Sequence, residues 1–309
     1  MNMKVSTAFL FERATDRMST LQNRLARTQA QLSLSKQILS PSDSPDQAAA
    51  VERLRGEIAR QQGHGEVLKV ALNRFTTEET ALRASTDAIT RIKELTIQAA
   101  NDTLSAADRK VIATELRELR NQLVSLGNTR DDSGNYVFSG TRVETQAFAF
   151  DADGKVIYQG DQTLTRVPAG VERSVQYTRA GTDVFQRVVR EDEEGDPFSV
   201  SFFDSLQDLI DAAENNELPE LRRGISEADQ MLTNASQALA QCGSEQQVVQ
   251  SQIDVLGQTM LRLKSTLSDI EDLDYTEAVA RVNKEMVALQ AAMASFSKIA
   301  GMSLFDHIR

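Results

Sequence analysis

His64, His307, the single Cys242 and the stretch Asp151 to Lys155 carry the side chains of this sequence best suited to chemistry. Their surroundings do not supply it. A general acid–base or metal site needs a second ligand or an orienting carboxylate, and neither histidine has an acidic or cysteine neighbour at ligand spacing. Asp151-Ala152-Asp153-Gly154-Lys155 resembles the start of a calcium loop. It lacks the third oxygen ligand before the glycine and the glutamate at the twelfth position, which leaves a hairpin turn. Cys242 falls on an apolar seam, where a thiol acts as a small hydrophobe, and one cysteine excludes an internal disulfide. No glycine-rich phosphate loop, nucleophile elbow or H-E-x-x-H helix occurs. An enzyme is not expected, nor a metal or a cofactor.

The spacing that does recur serves association. Near the N-terminus apolar positions step by threes and fours through Phe11, Ala14, Met18, Leu21, Leu25, Thr28, Leu32, Ser35 and Leu39. That is the seam of a helix made to lie against another helix. Near the C-terminus Tyr275, Val279, Val282, Met286, Leu289, Met293, Phe296 and Ala300 repeat it. The candidate assembly residues are therefore Leu21, Leu25, Leu32, Leu39, Val279, Val282, Met286, Leu289, Met293 and Phe296.

A polar break stands behind each seam. Pro41 is expected to end the first helix, because a proline removes a donor and drives the preceding residue from helical geometry. Ser42 and Asp43 offer side-chain oxygens to exposed amides, Pro45 restricts the exit, and Asp46 is expected to cap the next helix from about Gln47 to Ala99. Asp274 with Glu277 three residues on predicts a capping box for the last helix. Pro41, Ser42, Asp43, Pro45 and Asp274 are the hinge candidates.

Between the breaks lie further helices: one after Ser105 with Ile112, Leu116, Leu119, Leu123 and Leu126, and a long one opened by Pro219 whose seam continues to Ile270. Gly63-His64-Gly65 is the weak point of the second helix, each glycine costing ~1 kcal/mol relative to alanine. From about Gly134 the period changes. "NYVFSG", "AFAF", "KVIYQG" and "SVQYT" read as short strands, closed by the acidic loop "EDEEGDP". The expected fold class is mainly α: an elongated antiparallel helical bundle or coiled coil with a small central β-rich domain. Its divisions are 1–42 and 273–309 for the terminal core helices, 43–133 and 201–272 for the rod, and 134–200 for the β insert.

Composition agrees with a helical structural chain. Only 5% of the 309 residues are aromatic, and the net charge is −11. Residues 131–220 hold 7 basic and 19 acidic side chains, so the middle is the acidic, solvated part. That sign argues against nucleic acid. No run approaches a membrane span, and no apolar secretory leader is visible, so neither membrane insertion nor a cleaved signal peptide is expected.

With both ends and the middle laid out, the chain resembles the flagellin superfamily, and within it the bacterial hook-filament junction proteins. "LQNRLARTQAQLSLSKQILSPSDSPDQAAA" looks like the family's helix, break and second helix, and "LQAAMASFSKIAGMSLFDHI" like its terminal helix and tail. "GNYVFSGT" stands where the junction proteins enter their β domain. Ser35 departs from the pattern, which usually has glycine there. The resemblance implies an extracellular structural protein, made in the cytoplasm and exported unfolded through the flagellar type III channel. It implies assembly as a ring between the other junction protein and the first flagellin layer, and an export chaperone on part of the C-terminal helices. The terminal helices would form the inner core, the long helices the surrounding tube and the β domain the outer surface. Flagellin itself and a cytosolic coiled-coil scaffold are the alternatives.

Overall fold

The computed structural model describes the backbone of residues 2–101, 103–169, 174–191 and 196–305, and side chains there except at 2–8, 10 and 299–305. His307, Ala300 as a seam side chain, and most of the acidic loop lie outside the described residues. Two compact units form: residues 1–62 with 258–309, and residues 63–257. Two long helices, α2 (Pro45–Ala99) and α6 (Leu218–Glu271), contribute to both. α2 continues as helix through Gly63-His64-Gly65, where the division falls.

In the larger unit the inner seams are core. Phe75, Leu82, Ile89, Ile92 and Leu95 of α2 are buried, as are Ile112, Leu116 and Leu123 of α3 (Ala106–Gly127) and Leu221, Met231, Cys242 and Val249 of α6. Burying each large apolar side chain stabilises by about 1.5–3 kcal/mol. α3 starts where Ser105 accepts a hydrogen bond from the Asp108 amide at 3.2 Å, and it packs on α5 (Phe202–Asn215).

The central region contains three separate antiparallel hairpins. They are β1 (Phe148–Phe150) with β2 (Val156–Tyr158), β3 (Arg166–Pro168) with β4 (Ser174–Gln176), and β5 (Val188–Glu191) with β6 (Pro197–Val200). A four-residue helix, α4 (Gly181–Val184), lies between the second and third. "NYVFSG" is not a strand; it makes only isolated bridges, Tyr136 to Arg130 and Ser139 to Ala180. The Asp151 stretch is the β1–β2 turn, with Asp151 Oδ1 accepting from the Asp153 and Lys155 amides. No group of three or more potential metal ligands occurs among the described residues.

These hairpins share a core with the helices. Phe148, Phe185, Phe202 and Phe203 pack edge-on or tilted at 5.0–5.4 Å between centroids. Two buried arginines add ionic ties. Arg74 of α2 pairs with Asp131 at 2.9 Å and donates to the Tyr177 and Val137 carbonyls. Arg179 pairs with Glu78 of α2 and Glu245 of α6. Burial pushes the Glu78 carboxyl up against the pull of Arg179.

Candidate assembly surface

In the smaller unit α1 (Asn2–Leu34) lies along α7 (Tyr275–Phe305). Three contacts fix an antiparallel register. The Phe11 and Phe296 rings are 4.7 Å apart, Thr28 Oγ1 donates to Glu285 Oε2 at 3.0 Å, and the Ser35 and Tyr275 hydroxyls meet. Leu21 therefore falls at the level of Leu289.

The candidate seam residues divide. Leu21, Leu25 and Leu32 of α1 and Val282, Leu289 and Phe296 of α7 are half-buried, with Ala278 fully covered beside them. Val279, Met286 and Met293 stay 48, 40 and 44% exposed, and Tyr275 52%. The split is a property of α7: on α1 both rows are half-buried or buried, Leu25 and Leu32 on one and Leu21 and Thr28 on the other, whereas on α7 the row Val282, Leu289 and Phe296 turns toward α1 and the other row turns away. Among the described residues the outer row of α7 is apolar and about half exposed.

The break after α1 departs from the sequence reading. α1 stops at Leu34, well before Pro41, so Leu39 is not on it. Ser35 adopts φ +58, the left-handed region that favours glycine, and the Lys36 amide reaches back to the Gln31 carbonyl at 3.2 Å. The helix ends because that residue reverses the chain into tertiary pairing. The Gln37 amide donates to the Glu271 carbonyl at 2.8 Å, and the Leu273 amide to the Ser35 carbonyl at 3.2 Å. Leu39 instead lines a groove with Pro41, Val51 and Arg55.

The hinge candidates are tied down rather than loose. Asp43 Oδ2 accepts from the Leu39 and Ser40 amides at 3.1 and 3.0 Å, and Oδ1 meets Arg27 at 2.8 Å. The Ser40 amide bond, more than the Arg27 charge, holds its carboxyl below the usual carboxylate range. Ser42 is exposed and hydrogen bonds Ser40. Pro45 is the first residue of α2, where its missing amide costs nothing, so Asp46 lies inside the first turn. Asp274 caps α7 through the Thr276 and Glu277 amides at 2.8 and 3.1 Å. The reciprocal half of the expected capping box is absent, since Glu277 pairs with Arg281.

One residue that pattern reading missed joins the two breaks. Glu271, the last residue of α6, is buried and receives Lys36 and Arg55, the latter at 2.7 Å. The Lys36 hydrogen bond, aided by Arg55, holds its carboxyl below the usual glutamate value. Its signal was present: a carboxylate at a helix C-terminus faces the negative end of the macrodipole and needs a cation from elsewhere.

A helical subunit whose two ends pair with each other and leave one apolar row open belongs to the assembling class of structural proteins. Residues 5–143 match the bacterial flagellin N-terminal helical region, and residues 225–308 the flagellin C-terminal helical region. The chain belongs to the flagellin family and is a structural component of the flagellum. Flagellar hook-associated protein 3 of Escherichia coli is 27% identical over 98% of this chain and 99% of its own length. Flagellin of Clostridium tyrobutyricum is 24% identical over 50% of this chain and 41% of its own length. The fold is that of FlgL from Xanthomonas campestris, with TM-score 0.62 and 21% identity over 71% of this chain and 99% of that one.

Proposed function

We propose that this chain is the junction subunit on which filaments start: a ring between the hook, with its other junction protein, and the first flagellin layer. One observation carries the choice over flagellin. The match to a hook-associated protein covers 98% of this chain and 99% of that one at 27% identity, whereas the Clostridium tyrobutyricum flagellin match covers half of this chain and the flagellar filament core protein of Treponema maltophilum, covering 86% of it, is 22% identical. The outer row of α7 supports assembly, because Val279, Met286 and Met293 remain 40–48% exposed as an apolar row that neighbouring copies would cover. The β hairpins then form the outward surface, and the acidic character of residues 131–220 keeps it solvated. The subunit leaves the cell through the flagellar export channel, escorted by a chaperone on its C-terminal helices.

Deleting the gene tests this. Cells should bear hooks without filaments and lose flagellin monomer to the medium. Hooks with no flagellin in the medium would make the chain flagellin itself, and intact filaments would refute a flagellar junction.

A further inference from the structure

Arg13, Arg17 and Arg24 lie on one flank of α1, on the row Arg13, Arg17, Thr20, Arg24 and Arg27 that steps by four and three. All are exposed, and of the four arginines only Arg27 has an ion-pair partner, Asp43, among the described residues. Asp16, which borders the stripe three residues after Arg13, and Glu12 form no ion pair with these arginines among the described residues. Their partner helix gives Arg13, Arg17 and Arg24 no ion pair among the described residues, its Glu285 being engaged by Thr28. The stretch of α7 opposite them, Met286 to Lys298, contains no acidic residue.

The same unit carries the complementary charge at its other end. Asp269, Asp272, Asp274 and Glu277 are exposed around the turn from α6 to α7. Asp269 has no ion pair among the described residues, Asp272 accepts only the Ser268 hydroxyl, and the last turn of α6 holds no basic residue. The C-terminal end of α6 adds to the negative potential at Asp269 and Asp272, while the N-terminal end of α7 offsets part of the charge of Asp274 and Glu277.

Within one copy the two patches cannot meet. Ser35 sits against Leu273 at the turn, and at 1.5 Å per residue Arg24 lies about 16 Å, and Arg13 about 33 Å, further along the helix. We infer that the arginine stripe of one copy receives the acidic α6–α7 turn of a second copy, displaced along the helix axis by about 15–35 Å. Such a contact joins unlike faces, so it propagates from copy to copy, around a ring where the rotation closes and along a helical path where it does not. It also aligns neighbours before the apolar row of α7 is buried, because charge acts at longer range than apolar contact. The inference rests on the proposed self-assembly and names the faces that meet.

A charge swap tests it in a strain lacking the gene. Arg17→Glu with Arg24→Glu, and separately Asp269→Arg with Asp272→Arg, should each reduce filament-bearing cells at least tenfold while export and the melting of the purified protein stay unchanged. Combining all four should restore filaments to within threefold of wild type. Failure of the combination to rescue, or a harmless outcome from either pair, would overturn the inference. Harm from the arginine changes alone would give the stripe to another acidic partner. Should a reversal pair fail to fold, Arg17→Gln with Arg24→Gln must still lower filament number severalfold, or the inference falls. Filaments on the deletion strain itself would instead refute the junction reading.

Discussion

Replacing Glu271 by glutamine keeps the volume at the joint of α6, α1 and α2 but removes the charge that Lys36 and Arg55 share. Each charge-assisted hydrogen bond contributes about 1.5–3 kcal/mol where both partners are buried. Here the acceptor is buried and both cations are half exposed and can return to water, which reduces the sum to about 1–2 kcal/mol. The reporters are local: the Gln37 amide bonded to the Glu271 carbonyl and the Leu273 amide bonded to the Ser35 carbonyl. Glu271→Gln should speed hydrogen exchange at these two amides about 5–30-fold at pH 7, with amides of the Phe75 core unchanged. The pH dependence has a definite sign. A carboxyl held below its ordinary value contributes stability that is complete above that value, 4.5 for glutamate, and lost as pH falls through the lower folded value. Wild type and variant should therefore converge as the pH falls below about 4. Equal exchange at pH 7, or a difference that grows on acidification, would mean that the Glu271 charge does not hold this joint.

Three further outcomes follow from the same contacts. Ser35→Gly should cost less than about 1 kcal/mol at the α1–α7 joint, since relief of the left-handed backbone offsets greater chain entropy and leaves mainly the loss of the exposed Ser35–Tyr275 hydroxyl contact, whereas Ser35→Val, which adds backbone strain, should cost about 1–2 kcal/mol more; protease cleavage within residues 34–44 reads both. Leu289→Glu places a charge against Leu21 and should unpair α1 from α7, seen as rapid proteolysis of both helices while residues 63–257 remain a resistant core. Arg179→Met strands the buried Glu78 and should lower the stability of the larger unit by about 3–5 kcal/mol, measured by urea unfolding, with exchange at Gln37 and Leu273 unaffected.

Periodicity made the helices legible. The seam from Leu221 to Ile270 and the run from Ile112 to Leu126 are local patterns, and α3 and α6 follow them closely. What periodicity could not separate was which apolar row is covered, because Val282 and Met286 are equivalent in a seam and differ only in where α1 lies. The end of α1 was hidden for a related reason. A serine in left-handed geometry is unusual, and it is held there by long-range pairing with residues 271–273 that no local rule registers. The third hairpin escaped notice because its acidic connection outweighed the β-branched Val188, Val189 and Val200. Glu271 and the unpaired arginines show the value of asking, for each charge, where its partner is.

The proposed assembly depends on neighbouring copies covering the outer row of α7. Met286→Ser with Met293→Ser changes two exposed side chains and should leave the purified protein as stable as wild type, within about 0.5 kcal/mol. In a strain lacking the gene, the variant should be exported at the normal level yet leave hooks bare and flagellin in the medium. Filaments of normal number and length on those hooks would contradict that dependence.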